Sequence, residues 1–349
     1  MGNSIIHFGG PGQKDGALRD LLSRRIAQVP EGGNIDWVTY YFRDRHLAQD
    51  LIDARQRGVN VCITLDGRPR STHANDEVIR MLKEGLGDGV RAISNSRGRF
   101  HRGKLFRPRL HEKIYCFSHP QPVALVGSFN PSGDISEEYP EVIKDIGDHD
   151  RAFNLLVELN DRQLVDALVN HCRSLHDDSY GFFDRFRGVQ NRALDFDNFA
   201  LYCWPRVTPD PIYTLLKQLS PRSHVRIVAS HFSGMTSLRA IKAAAKRGIK
   251  IDLILESTER RVPQHVLKEL ADAGITIYSA DKEREWTPMH DKFMLIEEEN
   301  KKRCVFGSFN WSEPSRRFNR EIGIESTETS LVEQLEQRWS ALLQHQQLI

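Results

Sequence analysis

Two short strings hold the side chains in this sequence best suited to covalent chemistry: Leu110-His111-Glu112-Lys113 and Met289-His290-Asp291-Lys292. Each runs into an apolar stretch, Ile114-Tyr115-Cys116-Phe117 or Phe293-Met294-Leu295-Ile296. A second apolar stretch follows, ending in Gly127-Ser128-Phe129-Asn130 or Gly307-Ser308-Phe309-Asn310. The apolar runs predict strands, with each His-x-Lys on one of them; side chains two apart on a strand share a face, so His and Lys point into one cavity. At the end of the neighbouring strand, glycine permits a sharp bend, and Ser128, Asn130, Ser308 and Asn310 offer donors near the lysines. Taken twice, the pattern supplies two imidazoles, two ammonium groups and two amides, a cationic and donor-rich surround for a phosphodiester monoanion. A neutral imidazole would attack phosphorus while a protonated one gives its proton to the leaving oxygen. The roles then reverse as water or an alcohol attacks the phosphohistidine. Lys113, Lys292, Asn130 and Asn310 would stabilise charge on the equatorial oxygens, so the scheme needs neither a metal nor another cofactor.

The elements that must position these residues are themselves written twice. Residues 42–61 pass from Phe42 through Leu51, Ala54 and Arg57-Gly58-Val59 to Val61. Residues 232–251 repeat them from Phe232 through Ile241, Ala244 and Arg247-Gly248-Ile249 to Ile251, at a constant offset of 190. A repeat of this length changes the meaning of every motif within it. Upstream, Ile5-Ile6-His7-Phe8 and Leu201-Tyr202-Cys203-Trp204 are short apolar strands, each followed by a Pro-containing loop and a helix bearing Leu21-Leu22 or Leu215-Leu216. Helices alternating with β-rich runs predict an α/β protein of two tandem α/β/α halves, with mixed, largely parallel sheets, packed about a pseudo-twofold axis. The unpatterned stretch near residues 176–198 marks the boundary, giving an N-terminal half over residues 1–185 and a C-terminal half over residues 186–349.

Composition narrows the class. With 349 residues, 39% hydrophobic and 28% charged, the chain has the make-up of an ordinary folded protein. A net charge of +2 is too small for the whole-molecule field to imply a polyanionic partner. No run approaches the roughly 18 apolar residues of a membrane-spanning helix. The five scattered cysteines have no CxxC spacing, and no zinc or paired-carboxylate pattern appears, so buried thiols in the cytoplasm are expected. Leu331, Leu335, Trp339 and Leu342, at helical spacing near the C-terminus, read as a core-facing stripe.

The duplicated His-x-Lys, each with Gly-Ser-Phe-Asn after it, resembles the phospholipase D superfamily over essentially the whole chain. The resemblance implies α/β halves, a phosphohistidine intermediate and metal independence. Two departures stand out. Ser118 and Glu297 occupy the place where the family often has Asp five residues after the lysine. After the second Gly-Ser-Phe-Asn, Asn319-Arg320-Glu321 fits the family's Asn-x-Glu pattern, whereas the first half has Asn154 in the register of Glu321. In relatives such supports can cross between halves, which suggests Glu321 behind His111 as nucleophile and Asn154 behind His290 as general acid.

The motif fixes a reaction and leaves the substrate open. Arg97, Arg99, Arg102, Lys104, Arg107 and Arg109, interleaved with Phe100, His101 and Phe106, lie directly before His111. They fall in the extra length of the first half, since Phe42 to His111 is 69 residues and Phe232 to His290 is 58. A basic, aromatic-dotted loop suits a phosphate backbone with stacked bases, so an endonuclease acting on single- or double-stranded DNA is the favoured reading. The alternative is a phospholipase D or cardiolipin-synthase-like phosphatidyltransferase with phospholipid as partner. Gly98 to Leu105 nearly spells a nucleotide-binding loop, but Leu105 replaces the Ser or Thr that would hold magnesium.

Overall fold

The computed structural model describes residues 4–71, 73–94, 99–101, 104–132, 152–177, 193–256, 258–280, 288–299 and 301–348. The chain divides into two compact units, Met1–Asp184 and Arg185–Ile349, each built around its own mixed sheet.

In the first unit the order is β1 (Ile5–Gly9), α1 (Ala17–Ala27), β2 (Asn34–Thr39), α2 (Arg45–Gln56), β3 (Asn60–Asp66), α3 (Asp76–Leu86), β4 (Val90–Ile93), β5 (Arg99–His101), β6 (Lys104–Phe106), β7 (Ile114–Phe117), β8 (Val123–Gly127), β9 (Asn154–Leu159) and α4 (Arg162–His176). Seven of these strands form a sheet ordered β1-β9-β8-β7-β2-β3-β4, while β5 and β6 pair only with each other. The second unit runs β10 (Leu194–Asp195), β11 (Phe199–Trp204), α5 (Pro211–Gln218), β12 (His224–Ala229), α6 (Met235–Lys246), β13 (Lys250–Leu255), α7 (Gln264–Ala271), β14 (Thr276–Ala280), β15 (Phe293–Glu298), β16 (Lys301–Gly307), α8 (Glu313–Arg317), β17 (Glu321–Ser326), α9 (Thr329–Leu343) and β18 (Gln346–Leu348). Its sheet is β10-β11-β17-β16-β15-β12-β13-β14-β18. Without the short edge strands β10 and β18, the two sheets have the same order, strand for strand.

Both sheets are mixed, as the sequence predicts, but they are not largely parallel. Only β2-β3-β4 and β12-β13-β14 pair in parallel, since there a crossover helix joins strands that lie side by side in the sheet. From β7 to β9 and from β15 to β17 the chain returns strand against strand, and every ladder there is antiparallel.

Local chemistry explains the repeated helix. Leu47, Ala48, Leu51, Ile52 and Ala54 give α2 a buried stripe, and the Asp44 carboxylate caps its start by accepting from the Leu47 amide at 2.9 Å. Gly58 stops it at φ 88°, and Gly248 stops α6 at φ 90°, a conformation that costs glycine little. Trp37, Phe42, Tyr115, Phe117 and Leu125 belong to the core shared with α1 to α3. α4 covers the other face, burying Leu164, Leu168, His171, Cys172 and Leu175. In the second unit the core gathers Trp204, Phe232 and Trp311, the last two stacked with ring centres 5.6 Å apart. All five cysteines are free thiols. Among the described residues no helix is long and apolar enough to cross a membrane.

Candidate active site

His111, Glu112 and Lys113 stand in the extended segment that leads into β7, and His290, Asp291 and Lys292 occupy the same place before β15. Neither triplet lies on the strand, where the sequence predicts it, because the ladders begin one residue later, at Ile114 and Phe293. The alternation of an extended chain still holds across the triplet. It separates His and Lys from the residue between them.

That middle residue is a buried carboxylate in both halves. Glu112 accepts from His171 Nε2 of α4 at 2.7 Å, with both side chains buried. Asp291 accepts from Arg338 Nε of α9 at 2.8 Å. Burial pushes the Asp291 carboxyl up, although Arg338 and Lys292 pull it down. A buried charge persists only when paired, so the last helix of each unit ties down its own His-x-Lys.

The lysines are fully enclosed, a costly position for an ammonium group. Lys113 Nζ donates to the His111 carbonyl at 2.6 Å, and Lys292 Nζ donates to the His290 carbonyl at 2.9 Å. In the first unit Lys113 Nζ also lies 5.4 Å from the centre of the Tyr40 ring, and the His111 ring lies 5.0 Å from it.

The Gly-Ser-Phe-Asn turns are locked by the following strand. A Cβ on Gly127 would come within 2.2 Å of the Leu155 carbonyl oxygen, and one on Gly307 within 2.2 Å of that of Ile322, so only glycine fits. Ser128 Oγ donates to Asn154 Oδ1 at 3.0 Å and accepts from the Leu155 amide at 3.1 Å. Ser308 Oγ donates to Glu321 Oε2 at 2.6 Å and accepts from the Ile322 amide at 3.1 Å. Each hydroxyl joins its turn to the strand behind it. Asn130 Oδ1 accepts from the Tyr41 amide at 3.3 Å. Asn310 Oδ1 has no hydrogen-bond partner among the described residues. Glu321 is also held by Ser315 Oγ at 2.7 Å, and Ser315 Oγ in turn accepts from the Asn310 amide at 2.7 Å.

Sequence reading missed a second pair of carboxylates. Asp66 Oδ2 accepts from the Leu110 amide at 2.9 Å, and Glu256 Oε2 from the Met289 amide at 2.7 Å, so each fastens the residue just before a histidine. Glu256 is 190 residues after Asp66, one step past the matched strand strings, and extending the repeat by one residue would have found them. Burial raises Asp66 to about 6, offset in part by bonds from the Leu110 and Arg68 amides and by the charges of Arg109 and Lys113. Glu256 instead has buried Arg261 as partner at 3.5 Å.

The basic run divides. Arg97 and Arg102 lie outside the described residues. Arg99 and Lys104 fall in the β5–β6 ribbon, inserted between β4 and His111, which has no counterpart among the described residues of the second unit. Arg107 is exposed, whereas Arg109 Nη1 donates to the Arg68 carbonyl. Among the described residues no group of three or more His, Cys, Asp or Glu side chains is placed to hold a metal ion.

A family model described as "Cardiolipin synthase, PLD-like domain" matches residues 27–171 and 215–343. Among solved structures, a polyphosphate kinase from Porphyromonas gingivalis aligns with TM-score 0.68 and 14% identity over 99% of this chain and 48% of its own, so this chain spans about half its length. A phosphatidylserine synthase from Haemophilus influenzae Rd KW20 aligns with TM-score 0.65 and 13% identity, over 99% of this chain and 87% of its own. At those identities the likeness is one of fold. Nuc from Salmonella typhimurium, a phospholipase D family member, aligns with 43% of this chain and 97% of its own at 18% identity and TM-score 0.36. No curated protein matches the sequence.

Proposed function

This chain belongs to the phospholipase D superfamily of enzymes that act on phosphodiester bonds, and we propose that its own reaction is metal-independent hydrolysis of nucleic-acid phosphodiesters through a phosphohistidine. One observation carries the chemistry: the same His-x-Lys junction with its buried lysine, and a glycine-locked Ser-Phe-Asn turn beside it, is built on two sheets of matching strand order once β10 and β18 are set aside. In this reading each half contributes one imidazole to the reaction. His111 attacks phosphorus, with Glu321 as its supporting carboxylate. His290, backed by Asn154, protonates the leaving oxygen and then activates water. Lys113, Lys292, Asn130 and Asn310 take up the charge on the equatorial oxygens.

Preference for nucleic acid, DNA first, rests on the β5–β6 insertion immediately before His111, with Arg97, Arg99, Arg102, Lys104, Arg107 and Arg109 tracking the backbone. Among the described residues the large exposed hydrophobic side chains, Ile5, Leu105, Val207 and Leu348, are scattered along the sequence. A second reading, phosphatidyl transfer on phospholipid, is favoured by the cardiolipin synthase description of the matching family and by the likeness to a phosphatidylserine synthase.

The deciding experiment incubates the protein, with chelator, against single- and double-stranded DNA, RNA and phosphatidylglycerol vesicles, alongside His111→Ala and His290→Ala. Chelator-resistant DNA cleavage that each substitution lowers by roughly a thousandfold or more is expected. Lipid turnover without nucleic-acid cleavage would establish the second reading instead. Equal nucleic-acid binding by wild type and His111→Ala, with cleavage by neither, would make the protein a binding module.

A further inference from the structure

An aromatic ring lies against the imidazole of one junction. In the first half it is Tyr40, the residue just after β2. Its ring centre is 5.0 Å from that of His111 and 5.4 Å from Lys113 Nζ, so one aromatic ring borders both groups of the first His-x-Lys. The ring is itself immobilised. Its hydroxyl oxygen accepts from the Arg70 amide at 2.8 Å, and its backbone carbonyl accepts from Asn75 Nδ2 at 2.7 Å. Asn75 is fully buried and spends its other capacity on the Phe42 amide and the Asp66 carbonyl. In the second half the matching position, 190 residues on, is Ser230, whose hydroxyl pairs with His231 Nδ1 at 3.2 Å and Arg261 Nη1 at 3.5 Å. Position 230 carries a hydroxyl where position 40 carries a ring.

Resting on the phosphodiesterase reading above, we propose that Tyr40 is a positioning residue of the first half: its aromatic face sets the orientation of the His111 imidazole and holds the Lys113 ammonium beside it. The negative face of a phenol ring attracts a cation within about 6 Å, and a ring packed against an imidazole limits its rotation. Burial pushes the Tyr40 phenol well above its ordinary range, with Tyr41 and Asp66 adding to the effect. Tyr40 acts through its face. The hydroxyl only anchors the ring to the chain at Arg70.

The test uses the full chain, a chromogenic aryl phosphodiester as substrate with chelator present, and inorganic phosphate as a binding probe. Tyr40→Phe keeps the face and is expected to retain kcat within about threefold. Tyr40→Leu removes it and is expected to lower kcat at least tenfold, with KM changed less than threefold and the thermal midpoint close to that of Tyr40→Phe. Should Tyr40→Leu fail to fold, Tyr40→Met makes the same comparison. Equal kcat for the folded Leu or Met variant and wild type overturns the proposal. So does an equal loss in Tyr40→Phe, which would put the effect in the hydroxyl. A wild type that neither turns over the diester nor binds phosphate overturns the phosphodiesterase reading itself, and Tyr40's role with it.

Discussion

The two His-x-Lys junctions share a backbone and differ in almost every group that steadies it. In the first, the middle carboxylate Glu112 meets a histidine, the turn serine meets the amide of Asn154, and Asp66 has backbone amides as its hydrogen-bond donors. In the second, Asp291 meets an arginine, the turn serine meets the carboxylate of Glu321, and Glu256 has Arg261 beside it. Topology alone therefore carries the geometry, since the strand order is the same in both. Charge is free to diverge. The first half is steadied mainly by titratable or neutral partners and the second by permanent ones, so the two halves should respond differently to substitution and to pH.

The sharpest way to break this comparison is to remove the helix partner of each middle carboxylate. Arg338→Met leaves buried Asp291 without its cation and should cost about 3–5 kcal/mol. His171→Gln preserves a donor to Glu112 and should cost about 1–2 kcal/mol. Chemical denaturation of the two variants measures both; equal losses would mean that the latches are equivalent and the comparison is wrong.

Next in size is a pH effect at Asp66 of the first unit. The unfolded chain gives up the Asp66 proton near pH 3.9, whereas the folded chain keeps it to about 6. A carboxyl raised on folding contributes stability that is fully present below about pH 4 and lost as pH rises to about 6, about 3 kcal/mol in all. Asp66→Asn should remove that decline, so subtracting its stability from that of wild type across pH 3.5–7 should leave a falling curve. A flat difference would show that Asp66 ionises freely in the fold.

Smaller effects separate the two serines. Ser308→Ala strips a hydrogen bond from a buried carboxylate and should cost about 1.5–3 kcal/mol, whereas Ser128→Ala faces an amide and should cost about 1 kcal/mol. Ser315→Ala also strips a hydrogen bond from the buried Glu321 carboxylate and should cost about 1.5–3 kcal/mol, with loss of activity exceeding that of Ser128→Ala because Ser315 holds the Asn310 amide. Thermal midpoints and turnover on the same samples check both orderings.

Much of this was legible because duplication makes signal out of spacing. The strands before and after each histidine, the helix stop at Gly58 and Gly248 and the two His-x-Lys strings follow from apolar runs and a single offset. Sheet direction did not, since a strand's partner is chosen by where the chain returns, and the β7 to β9 return is antiparallel for reasons no local window contains. Partners such as His171 and Arg338 escaped for the same cause. They sit on helices 60 and 48 residues beyond their lysines' own strings, at positions 171 against 111 and 338 against 290, where helical periodicity marks burial and says nothing of charge. Tyr40 lies two residues before Phe42, where the matched repeat begins, and drew no reading.

The fully buried turn serines have a practical consequence for anyone profiling this protein by chemical labelling. Fluorophosphonates and sulfonyl fluorides need an accessible, activated hydroxyl, and the hydroxyls of Ser128 and Ser308 are enclosed and already engaged on both sides. Silence in a serine-hydrolase activity screen would therefore carry no information about whether the enzyme is working.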